Sequence, residues 1–164
     1  MDPFVRRFIR SSLIWLGVGV LIGVAMALNP AMAAFRTAHM HANLLGFVSM
    51  MIFGVAYHVI PRFSGHALHS RRAAAAHWWA SNAGLALMAL GFVLRVHGVA
   101  GAPWFLALGG VASAAGAYTF AWVVWRTVDG PPSLRASAQR AAVGVRRAER
   151  AGLPLVTAAT PAER

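Results

Sequence analysis

The sequence predicts an all-α integral membrane protein, a four-helix bundle with both termini cytoplasmic, and three observations lead there. Of 164 residues, 59% are hydrophobic and 12% charged, with a mean hydropathy of +0.60, against roughly 45–50% apolar residues in a soluble domain. The apolar residues gather into four blocks, each close to the ~20 residues that cross a bilayer. All 15 basic residues are arginines, and they sit mainly beside the blocks.

The first block, residues 12–28, ends at Asn29-Pro30, a helix stop. The second, residues 38–60, stops at Pro61 and is followed by a polar joint from Arg62 to Arg72. The third covers residues 73–96, with the turn supplied between Gly98 and Pro103. Pro103 then opens the fourth, residues 103–125, at a position suited to proline. None of the blocks carries a clean polar stripe, as expected of helices that face lipid or are buried all round. Residues 1–126 thus form the bundle and residues 127–164 a basic cytoplasmic tail. In that tail Ser133 to Ala151 reads as a helix lying on the anionic leaflet, and Gly152 onward as unstructured.

Charge orients the bundle. Arg6, Arg7, Arg10, Arg62, Arg71, Arg72 and Arg126 fall on one side, Arg36 and Arg95 on the other. The positive-inside rule places the arginine-rich side in the cytoplasm, hence in a bacterial inner membrane with several passes. The net charge of +11 is read as contact with lipid headgroups, and nucleic acid is not expected as a partner. An alternative start exists: Ala31-Met32-Ala33 resembles a signal-peptide cleavage site. The apolar stretch before it exceeds the usual h-region of roughly 7–15 residues, which favours an uncleaved first span.

Gly19 and Gly23, Ala80 and Gly84, and Ala112 and Gly116 are small-residue pairs at the spacing that lets membrane helices approach closely. With no cysteine, thiolate metal sites, iron–sulfur clusters and cysteine nucleophiles are excluded. Seven histidines remain as ligands. A histidine inside a span is a functional candidate, since one ring nitrogen can bind a metal while the other is oriented by a hydrogen bond.

The richest segment runs Thr37-Ala38-His39-Met40-His41-Ala42-Asn43, through Phe47 and Gly54, to Tyr57-His58-Val59-Ile60-Pro61 and Gly65. Residues 37–65 resemble the second transmembrane helix of heme-copper oxidase subunit I and its nitric oxide reductase relatives. His41-Ala42-Asn43 stands for that helix's opening, and Gly54, Tyr57, Pro61 and Gly65 for its close. The resemblance implies heme b as cofactor, with His41 inheriting the axial-ligand position on the outer side. The family's copper-site histidine motifs are absent, so the resemblance implies heme binding and not oxygen reduction by this chain alone.

His97, at the outer end of the third span, is at similar depth to His41 on antiparallel helices and is the leading second ligand. Met26 or a residue of another subunit is the alternative. His58 and His77 share the inner side, close to the interface, where a structural or hydrated role weighs as much as ligation of heme iron. Two stacked hemes are disfavoured, because at 100° per residue 41 to 58 turns through about 260° and 77 to 97 through about 200°. His39, about 200° from His41, reads as an interfacial hydrated side chain. Its alternatives are a propionate contact or a copper site shared with Met40 if the backbone there is not helical. Asn43 and Phe47 complete the cofactor-binding set, although backbone bonding and packing are their ordinary uses. His66 and His69 read as solvated.

Two functions follow. One is a small heme b protein for electron transfer or gas sensing. The other is a non-enzymatic subunit that handles copper or assists assembly of an oxidase-like complex, the His-Met-His run suiting copper. A homo-oligomer or other respiratory membrane subunits are the expected partners.

Overall fold

In the computed structural model, which describes residues 2–150, the chain is helical throughout except at its turns. Helix α1 (Pro3–Leu28) begins with Pro3 in its first turn and ends where Asn29 turns extended. The Asn29 side-chain oxygen accepts from the Ala31 N–H at 3.0 Å, and Pro30 opens a short 3₁₀ helix, Pro30–Phe35. The stop expected at Asn29-Pro30 is therefore a change of direction. From there α2 (Arg36–His41), a π-helical segment (Ala42–Ser49) and α3 (Met50–Ser64) continue as one rod. Helix α4 (Arg71–Val96) follows, with Ser70 capping it through an Oγ that accepts from the Ala73 N–H at 3.1 Å. After the turn at Gly98 come α5 (Ala102–Asp129) and α6 (Pro132–Arg150).

Four of these units are long and apolar enough to cross a membrane: Pro3–Leu28, Pro30–Ser64, Arg71–Val96 and Ala102–Asp129. The chain is a multi-pass membrane protein with an all-α fold. Two boundaries differ from the sequence reading for identifiable reasons. Helix α1 starts well before residue 12, because Phe4, Val5 and Phe8 share a buried face while Arg6, Arg7 and Arg10 stay exposed. The second span runs through Pro61. A proline in the last turn removes only one backbone bond, and the chain stops at Gly65, whose φ of +69° suits glycine as a helix terminator. The helix expected in the tail is α6, and the unstructured stretch expected from Gly152 lies outside the described residues.

The spans alternate in direction, so one end of the bundle carries the start of α1, the Gly65–Ser70 joint and the end of α5. It is called the terminal end below, and the end with the Asn29 and Gly98 turns the far end. Helices α4 and α5 lie closest. A Cβ on Gly84 would stand 2.8 Å from the Gly109 carbonyl oxygen, and one on Gly109 would stand 2.6 Å from that of Gly84. Gly116 likewise has Ser81 Oγ where a Cβ would be, at 2.8 Å. The small-residue steps of the third and fourth spans thus do bring backbones together. The pair Gly19 and Gly23 of α1 instead makes room for side chains, Asn43 against the first and His39 against the second. Phe4, Val5, Phe8, Met50, Tyr57, Ala74, Leu85 and Val123 form the core, weighted toward the terminal end.

Candidate functional site

At the far end α2 presents three different faces, because the run His39-Met40-His41 is α-helical. His39 turns onto α1, where its Nδ1 lies 2.8 Å from the Gly19 carbonyl oxygen. A carbonyl only accepts, so Nδ1–H donates. Asn43 then serves as a brace: its amide donates to the His39 carbonyl at 2.9 Å. His39 is half-buried and tied down, not the hydrated interfacial side chain expected. Met40 is exposed. The condition for a shared His39–Met40 copper site, a non-helical backbone, is not met. Among the described residues no three His, Asp or Glu side chains gather as a metal ion would require.

His41 is half-buried and leans on Phe92, ring centroids 4.9 Å apart. Its Nδ1 lies 2.8 Å from the Thr37 carbonyl oxygen one turn back, so Nδ1–H donates there and the neutral ring keeps an Nε2 lone pair. His97 caps the end of α4, is exposed, and faces Phe35 at 6.4 Å. His41 is therefore level with Phe92 and His97 with Phe35, five residues further along α4, or about 7–8 Å at 1.5 Å per residue. The structure does not bring the two histidines into contact. Phe47 is half-buried in the π-helical segment immediately beyond.

That segment matters to the helix-wheel argument. Bonding from i to i+5 widens the turn, so the 100° step does not hold between residues 42 and 49, and the angle expected between His41 and His58 is not the one realised. Within the wide turn Gly46 lets Trp15 of α1 in: a Cβ on Gly46 would meet the Trp15 Cβ at 2.5 Å. π-Helical turns inside α-helices concentrate at functional sites.

At the terminal end His58 and His77 are far from equivalent. Arg62, always protonated, donates from Nη1 to His58 Nδ1 at 2.9 Å and also to the His58 carbonyl. His77 is 1% exposed and sits inside a ring of Phe8, Phe53 and Phe120 at centroid distances of 4.8, 4.7 and 5.7 Å. Its Nδ1 is 2.9 Å from the Tyr57 hydroxyl, and its Nε2 has no partner among the described residues. The buried Tyr57–His77 pair escaped sequence reasoning, which placed His77 near a hydrated interface. The usable signal was the Phe4, Val5, Phe8 face before the first apolar block. His66, read as solvated, is half-buried and its Nδ1 meets the Thr127 carbonyl at 3.2 Å, whereas His69 is exposed, as read, and only its backbone N–H ties the joint to α5, donating to Thr127 Oγ1 at 3.0 Å.

No family model matches the chain. It is 32% identical over 92 residues to the cbb3-type cytochrome c oxidase subunit CcoN1 of Stutzerimonas stutzeri, a match covering 52% of this chain. The chain spans 19% of that protein's length. The similarity supports at most a distant relationship to heme-copper oxidase subunit I.

Proposed function

We propose that the chain is a small heme b protein of the bacterial inner membrane, termini cytoplasmic, that carries electrons or senses a small gas through an iron held by His41. The observation that carries this reading is the Nδ1 bond of His41 to the Thr37 carbonyl at 2.8 Å. It fixes the tautomer and the ring direction and leaves Nε2 as the ligating atom, the arrangement that oriented metal-binding histidines share. Heme, when bound, supplies the one-electron or gas-binding chemistry.

The residues fit one axial position. His41 provides the nitrogen, Phe92 an aromatic face at 4.9 Å, and exposed Leu44 and Val48 an apolar surface next to it. His39, bonded to the Gly19 carbonyl of α1, and Asn43, which donates to the His39 carbonyl, hold the α2 backbone from which His41 projects. A further iron ligand would come from a second copy or another membrane subunit, a reading supported by His97 lying against Phe35 and not level with His41. The distant oxidase subunit I similarity supports the class of cofactor.

The test is a reduced-minus-oxidised spectrum of protein purified from heme-supplied membranes. A heme b spectrum is expected, lost in His41→Ala and unchanged in His97→Ala. No heme absorption, or a normal spectrum in His41→Ala, removes the reading. A high-spin spectrum in His97→Ala would return the second ligand to this chain.

A further inference from the structure

At the terminal end, remote from His41, an open groove of about 490 Å³ lies between the last turn of α3 and the first turn of α4. Its walls include Arg62 and His58 on one side, Arg71 on the other, with His66, Leu68 and Asp2 between. Arg62 spends Nη1 on its own helix, at His58, which leaves the Nη2 edge of its fork for an acceptor. Among the described residues Arg71 pairs with Asp2, at 3.3 Å, with side-chain exposures of 75% and 32%. An exposed pair of that kind is weakly held. The groove thus offers two arginines and two imidazoles against a single carboxylate, and that carboxylate occupies one arginine as an anion would.

Depth identifies the anion. Twenty-six residues of α4 extend about 39 Å, more than the ~30 Å hydrocarbon core, so the helix ends reach the headgroup layer. Arg71 opens α4 and Arg62 lies in the last turn of α3. Phe63, next to Arg62, is 88% exposed, as a side chain lying among acyl chains would be. Arginine's planar donor fork matches phosphate oxygens.

We infer that this groove binds a phosphate group, that of an anionic phospholipid, between Arg62 and Arg71, with Asp2 as the internal competitor it displaces from Arg71. The site is independent of the heme reading, since neither Arg62 nor Arg71 touches α2. Charge alone would make all the arginines of this end equivalent. The groove makes Arg62 special and gives Asp2 an effect of opposite sign.

The experiment is native mass spectrometry of the full chain in dodecyl maltoside with added dioleoyl phosphatidylglycerol, with dioleoyl phosphatidylcholine and inorganic phosphate as separate arms. Phosphatidylglycerol is expected to be retained over phosphatidylcholine and to resist millimolar phosphate. Arg62→Gln is expected to weaken retention about fivefold, the weight of one basic residue at an anionic surface, and Asp2→Asn to strengthen it. Circular-dichroism melts of both variants should match the parent. Equal retention of the two lipids, or no effect of Arg62→Gln in a folded variant, overturns the proposal. Loss of Asp2→Asn enhancement overturns the competitor role. Displacement of phosphatidylglycerol by inorganic phosphate overturns the lipid assignment in favour of a soluble phosphate in the same site.

Discussion

The two ends of the bundle use histidine in opposite ways. At the terminal end His77 is sealed among Phe8, Phe53, Phe120 and Tyr57, one nitrogen bonded and the other without a partner among the described residues. At the far end His39 and His41 are half-buried, each with Nδ1 bonded to a backbone carbonyl. A sealed imidazole is held by packing, and removing it costs stability. A half-open one held by a single backbone bond costs the fold little and leaves a nitrogen for a ligand. The difference teaches that intramembrane histidines must be told apart by the partners of each ring nitrogen, since one end seals the imidazole and the other leaves Nε2 open.

The strongest test of this contrast is His77→Ala. It would open a cavity among four aromatic rings and strip the buried Tyr57 hydroxyl of its partner, so unfolding in mixed micelles should lose about 2–4 kcal/mol. A loss below that of a surface change would mean the aromatic ring closes without the imidazole. Tyr57→Phe is the next largest. It leaves both nitrogens of a buried His77 unpaired, an expected cost of about 1–3 kcal/mol. The double change Tyr57→Phe with His77→Leu should recover part of it, because apolar replacement of both partners removes the unmet polar groups. A double variant no better than the sum of the singles would show that packing, not the hydrogen bond, joins the two.

These effects also mark where the sequence was readable. Four apolar blocks and their Asn29-Pro30 and Gly98–Pro103 joints were legible, since block length and turn residues are local properties. The first turns of α1 were not: Arg6, Arg7 and Arg10 lower the hydropathy of a stretch whose other face, Phe4, Val5 and Phe8, is buried core. Without that face the interior position of His77 could not be seen. The resemblance over residues 37–65 singled out His41, but its Thr37 bond depends on side-chain rotamer. The π-helical segment coincides with the seat of Trp15, from another helix, at Gly46. Both are tertiary decisions that spacing does not carry.

A smaller effect is expected at the seat of His39. In Gly19→Ala a Cβ would fall 2.5 Å from the Asn43 amide, a side chain that can rotate away. The cost should be about 1 kcal/mol, the worth of the His39–Gly19 hydrogen bond put at risk. Heme content measured on the same samples sharpens the result. If the brace positions α2, Gly19→Ala loses heme out of proportion to its stability, whereas a merely structural cradle loses both together.

The smallest change in stability should come from His41→Ala. The residue is half-exposed and its Nδ1 hydrogen bond runs to a carbonyl on its own helix, so unfolding of the heme-free protein should shift by no more than about 0.5 kcal/mol, as at an ordinary surface position. The same substitution is expected to abolish the heme spectrum altogether. The combination is what separates a ligand from a packing residue, because Phe92 loses only one face of contact when the imidazole is removed. If His41→Ala unfolds as easily as His77→Ala, the far-end histidine is structural after all, and the contrast between the two ends disappears.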